Sequence, residues 1–193
     1  VLVTTAAWAG PKAYDFRDPK GVNGLHIQLD TAVEPIAGLA GGVSGEIEFD
    51  PSAPEKTSGY IEVEARSLRF VNATMTRVAL GADWLDADRH PALRFEIRRI
   101  VTVTPDGENR WRLKAEGVFR CRGVERPLTL EIVATHLAVR LGERAEGASG
   151  DLLVLRTAFS VRRTEFGMVK DPEFRHVADE VQVRGAIVGQ APD

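Results

Sequence analysis

Trp111-Arg112-Leu113-Lys114-Ala115-Glu116-Gly117-Val118-Phe119-Arg120-Cys121-Arg122 decides how this chain folds. Trp111, Leu113, Ala115, Gly117, Phe119 and Cys121 share one parity, and every residue on the other parity except Val118 is charged. A period of two belongs to a strand with one buried and one wetted face. In a helix the same residues would spread the charges around the whole circumference.

The same alternation runs outward from this stretch in both directions. Upstream, Leu25, Ile27 and Leu29 alternate with Gly24, His26 and Gln28, and Val43, Gly45, Ile47 and Phe49 with Ser44, Glu46 and Glu48. Ile61, Val63 and Ala65 follow, then Leu93, Phe95 and Ile97, then a turn at Pro105-Asp106-Gly107. Downstream, a tight connection through Arg122-Gly123-Val124-Glu125 leads to Leu128, Leu130 and Ile132. The phase then moves to Leu137, Val139 and Leu141, which predicts a β-bulge near Ala134. Leu153, Leu155, Phe159 and Val161 form a further strand, and Val181, Val183 and Ile187 the last. Residues 72–85 break the pattern: Met75, Val78, Ala79 and Ala82 fall at helical spacings behind Asn72, a good N-cap. The Gly-rich stretch 38–45 leads into a strand, so it lacks the helix N-terminus of a phosphate loop; a loop with unusual backbone angles is expected.

About eight strands with hairpin-like connections and no βαβ rhythm predict an all-β antiparallel fold with one short helix. An eight-stranded, lipocalin-like barrel is favoured over a two-sheet sandwich, because the long strands suit a barrel that holds one small ligand.

Composition narrows the function. The 193 residues carry a net charge of -3, and their 25 basic residues are scattered or paired, not arranged as a cationic stripe, so no nucleic-acid partner is expected. No apolar run reaches the ~18 residues of a spanning helix, so no integral membrane segment is expected. The lone Cys121 excludes an internal disulfide. Residues 1–21 read as an N-terminal arm or, from Ala7-Trp8-Ala9, as the remnant of an export signal, with a first strand as the alternative for 1–10; 22–193 read as the barrel domain.

Catalytic chemistry finds no foothold. His26, His90, His136 and His176 are far apart and lack metal-ligand spacing, and Ser44, Ser67 and Ser160 lack a nucleophile-elbow context. No catalytic residue, metal or cofactor is expected. The inner faces are more informative. Large residues at inward parity (Ile47, Phe49, Phe95, Phe119, Phe159) stand beside small ones such as Gly117. With Leu25, Ile27, Ile97, Leu113 and Val161 they are the expected lining of an apolar interior. Arg99 and Arg163 also carry inward parity near strand ends, where a cation could meet a ligand's polar head.

Four segments resemble the YceI-like family of lipocalin-like proteins. They are Gly45-Glu46-Ile47-Glu48-Phe49-Asp50-Pro51; Trp84-Leu85-Asp86-Ala87 with His90-Pro91-Ala92-Leu93-Arg94-Phe95; residues 117–130; and Arg163-Thr164-Glu165-Phe166-Gly167-Met168. The resemblance implies a barrel in an exported, periplasmic or secreted protein, holding a polyisoprenoid, an isoprenoid quinone or a fatty amphiphile. It implies binding or transport and no enzyme activity; a homodimer is compatible with it. Cys121 stands where the family often has threonine, and residues 1–23 match poorly. The rivals are an isomerase or cyclase working in the cavity, a b-type haem binder, and an interaction module without a ligand.

Overall fold

The computed structural model describes residues 10–168 and 176–193. Its strands are β1 (Lys12–Asp15), β2 (Gly24–Asp30), β3 (Pro35–Ala40), β4 (Val43–Phe49), β5 (Ser58–Glu64), β6 (Leu68–Phe70), β7 (Ala92–Pro105), β8 (Arg110–Cys121), β9 (Val124–Leu137), β10 (Gly150–Arg162) and β11 (Glu180–Pro192). One α-helix, α1, spans Ala73–Leu80. All pairings are antiparallel, and the eleven segments make a closed barrel of eight wall strands. Three wall strands are composite. β1 and β2 both pair with β11, β3 and β4 continue one another across Gly41-Gly42, and β5 runs into β6 through a single 3₁₀ turn at Ala65–Ser67.

Each break is stitched by named groups. Between β1 and β2 the buried Asn23 side chain donates to the Phe16 and Val188 carbonyls at 3.1 and 3.0 Å and accepts from the Val188 amide at 2.8 Å. A polar side chain here supplies the ladder bonds that the interrupted strand cannot make. Across Gly41-Gly42 the Glu64 amide reaches the Gly42 carbonyl at 2.8 Å. Gly45, with φ +132°, could not be another residue: a Cβ there would lie 2.3 Å from the Tyr60 carbonyl oxygen.

Several expectations are corrected. The wall begins at Lys12, within the stretch read as an arm; the Ala7-Trp8-Ala9 pattern lies outside the described residues. Gly38 belongs to β3 and not to a loop, and only Gly45 of the expected 38–45 loop has a positive φ. The helix keeps its cap, with Asn72 Oδ1 accepting from the Thr74 and Met75 amides, but ends at Leu80 before a series of turns. The bulge is absent from Ala134, because β9 stays in register with β8 through Thr135 and with β10 through Leu137. His136 therefore keeps inward parity; the Leu137, Val139 and Leu141 pattern marks the strand's end, where Val139 has φ +57°. The register shifts fall instead in β7, between Ile97 and Arg99 and between Ile100 and Thr102.

Candidate functional site

The interior divides into two ends. At one, Tyr14, Phe16, Phe49, Leu113 and Leu153 are fully buried and interlock with Ala115, Ala134 and Ala191. Phe16 fits because the wall opposite it is Gly189, where a Cβ would lie 2.6 Å from the Phe16 ring. Beneath this plug, His136 Nε2 lies 3.3 Å from Asp151 Oδ2, and Lys12 Nζ reaches the same carboxylate at 2.9 Å. Burial works against the charged Asp151 carboxylate, but the Val139 amide, Lys12 and His136 hold its pKa below the ordinary value. Burial, with Asp151 nearby, pushes the Tyr14 phenol up.

The other end is hollow. A cavity of about 540 Å³ opens there, within the usual size of small-ligand pockets. Its walls come from the inward parities of every strand from β2 to β11, and its upper rim from Thr31, Val33 and Glu34 of the β2–β3 turn. Thr74, Met75, Val78 and Ala79 of α1 lie over it, with Trp84 and Leu85 beyond. No residue of α1 is buried, because the face it turns to the barrel meets the void. Strands β9 and β10 pair only from Leu137 and Leu152 to Ile132 and Thr157. Past that point they part, leaving a notch of about 240 Å³ bordered by Phe119, Arg126, Leu128, Ser160 and Phe166.

Of the residues expected to line an interior, Leu25, Ile27, Ile47, Phe95, Ile97, Phe119, Phe159 and Val161 border the cavity. Phe49 and Leu113, each 1% exposed, lie instead in the packed end. Gly117 lies under Phe95, whose ring would be 2.5 Å from any Cβ there, and 2.3 Å from the Glu96 carbonyl oxygen. Phe119 meets Phe159 and Phe166 edge to face, with centroids 6.3 and 5.4 Å apart. Cys121 borders the cavity from a buried position, and desolvation pushes its thiol up to about 12.

The two arginines part company. The β7 register shift turns Arg99 to the outer face, where its side chain is 70% exposed and pairs with Glu116 at 2.7 Å, so its expected inward placement is corrected. Arg163 is inward and buried at the cavity edge, but its guanidinium donates to the Ala178 and Val177 carbonyls at 3.0 Å each and lies 5.2 Å from the Trp84 ring centre. Those bonds fasten the segment before β11 to the 3₁₀ turn at Arg163–Phe166, which Asp179 also holds through the Thr164 amide and hydroxyl. Burial opposes the Asp179 charge, but these two bonds and the neighbouring arginines set its pKa below the ordinary value.

Sequence reasoning missed the helical lining and Arg126. The helix signal was available, since Met75, Val78 and Ala79 share one face. Arg126 lies two residues before Leu128 and has its parity, so it belongs to the inner face beside the notch. His176 borders the mouth. Among the described residues no three His, Cys, Asp or Glu side chains are grouped to hold a metal, and no helix is long and apolar enough to cross a membrane.

A family model described as a YceI-like domain matches residues 22–188. No curated protein matches the chain. Among solved structures, BcnA of Burkholderia cenocepacia is similar at 20% identity and TM-score 0.65, covering 86% of this chain and 95% of its own. A YCEI protein of Campylobacter jejuni is similar at 13% identity and TM-score 0.64, covering 85% and 90%. A polyisoprenoid binding domain from Saccharophagus degradans, implicated in plant cell wall breakdown, superposes with TM-score 0.66 at 6% identity, covering 94% and 99%.

Proposed function

Since the chain belongs to the YceI-like family, we propose that it binds one long-chain apolar lipid in the hollow end of its barrel and carries it without chemical change. The observation that supports this most is the cavity itself: about 540 Å³ bordered chiefly by aliphatic and aromatic side chains. Each methylene moved from water into such a space gains ~0.8 kcal/mol, so an alkyl or prenyl chain can be held by burial and shape alone. Phe95, Phe119 and Phe159 add large apolar ring surfaces to the walls that enclose such a chain. The polyisoprenoid binding domain of Saccharophagus degradans adds weight to a prenyl ligand, an isoprenoid quinone or a polyisoprenoid, over a simple fatty acid.

What borders the space supports a carrier role. Among the described residues its polar lining is limited to Thr31, Glu34, Glu64, Thr74, Thr157, Arg163 and His176, of which Thr31, Thr157 and Arg163 donate to backbone carbonyls. The family resemblance also favours an exported protein, periplasmic or secreted. Purified protein should yield, on organic extraction and mass spectrometry, one class of long-chain lipid in near-equal molar amount. An extract without lipid, a haem absorbance band, or a ligand converted to product on incubation would each displace the carrier reading.

A further inference from the structure

We infer that the rim of the cavity is a docking surface for an anionic lipid bilayer, from which the cavity is loaded; the inference rests on the lipid-carrier reading and adds its source. The rim exposes aliphatic side chains that none of the described residues covers. Val71 is 100% exposed, Val33 80% and Val78 39%; Val22 and Val139 are also exposed, but neither borders the cavity. Val33 and Val78 border the cavity, and Val71 follows the lining residue Phe70, so the exposed patch is continuous with the apolar interior.

These tips are built into firm turns. The Thr31 hydroxyl accepts from the Val33 and Glu34 amides at 3.2 and 2.6 Å and donates to the Glu34 carbonyl at 2.6 Å, fixing Val33 at the end of the β2–β3 turn. Val71 is set between Phe70, whose amide donates to the Thr76 hydroxyl at 2.9 Å, and Asn72, the cap of α1. Beside an apolar cavity mouth, insertion beneath lipid head groups would bury both valines together with the rim.

Charge selects the kind of surface. Residues 68–82, which carry Val71 and Val78, contain Arg69 and Arg77 and no acidic residue. Arg69 donates to the Leu68 carbonyl at 2.7 Å and is exposed, and Arg77 projects from the last turn of α1. An aliphatic tip flanked by cations suits a layer of anionic head groups over acyl chains, and each arginine near such a surface strengthens binding roughly fivefold. Glu34 on the facing turn, Glu64 on the cavity wall and Asp83 just after α1 are acidic, which limits the charge advantage to the stretch from Arg69 to Arg77.

The test uses the intact protein and extruded vesicles of phosphatidylcholine, with and without phosphatidylglycerol, read by co-sedimentation. The wild type should bind the mixed vesicles more tightly than the neutral ones. Val71→Asp should weaken that binding roughly tenfold, Val71→Trp should strengthen it, and Arg77→Gln should reduce the preference for phosphatidylglycerol roughly fivefold. None of the three touches the cavity lining, so each variant should take up palmitic acid delivered from ethanol as the wild type does. Wild-type protein that ignores both vesicle types, or Val71 variants that bind alike, would overturn the docking surface while leaving the cavity reading intact. So would concentration-dependent self-association lost in Val71→Asp without vesicle binding, since the rim would then be a contact between copies. Failure of the wild type to take up palmitic acid or farnesol from ethanol would count against the carrier reading itself.

Discussion

The two ends of the barrel use the same residue types to opposite effect. At the closed end, Phe49, Leu113, Leu153, Tyr14 and Phe16 meet across the axis and leave no room. At the open end, Ile27, Phe95, Phe119, Phe159 and Val183 stand equally inward around a void. Hydrophobicity does not separate them; geometry does. The closed end is drawn in where β1 joins β4 to β11, and Phe16 enters against Gly189. At the open end the wall is interrupted: β9 and β10 part after Ile132 and Thr157, and β6 has no partner in β7. An apolar residue is thus core or binding site according to what stands opposite it.

The largest expected effect falls on the boundary between the ends. Gly117→Phe places its Cβ against the Glu96 carbonyl and the Phe95 ring, so it should abolish folding and yield insoluble protein. Folded Gly117→Phe protein with a narrowed cavity would show that β7 and β8 can move apart there. Next, Phe49→Ala in the packed end should cost about 3–5 kcal/mol, read by urea unfolding. Phe159→Ala faces existing space and should cost about 1 kcal/mol or less, while weakening lipid retention. Equal costs at the two positions would erase the distinction drawn between the ends.

A smaller effect concerns pH. The folded Asp151 carboxyl titrates below its unfolded value near ~3.9, so its stabilising contribution is complete above that value and is lost as pH falls through the lower folded one. Asp151→Asn should therefore destabilise at neutral pH by about 1–3 kcal/mol, with the gap to wild type closing towards pH ~2. A gap independent of pH would mean that Lys12 and the Val139 amide do not favour the carboxylate. The smallest effect leaves stability untouched: Cys121, buried and raised to about 12, should react with a thiol reagent only after denaturation. Rapid labelling of native protein would show the cavity wall opening to solvent beside Phe119.

By itself the sequence determined the longer strands, most of their inward faces and the barrel class, because a period of two is a local property that each long strand displays independently. The short β1, β3 and β6 went unread. Trp111 to Cys121 is read identically in the structure, and Asn72 still caps its helix. The composite strands were hidden because Asn23 and Gly42 close the wall through bonds to Val188 and Glu64, distant in sequence. Arg99 misled because parity survives only until a bulge, and the β7 bulge is set by its pairing with β8. Arg163 has the expected parity, yet its donors are used by carbonyls that only the return of the chain before β11 brings near. Tertiary structure alone decided which inward residues fill and which enclose. Filling depends on the side chain across the axis, and alternation along one strand carries no information about what stands on the other side.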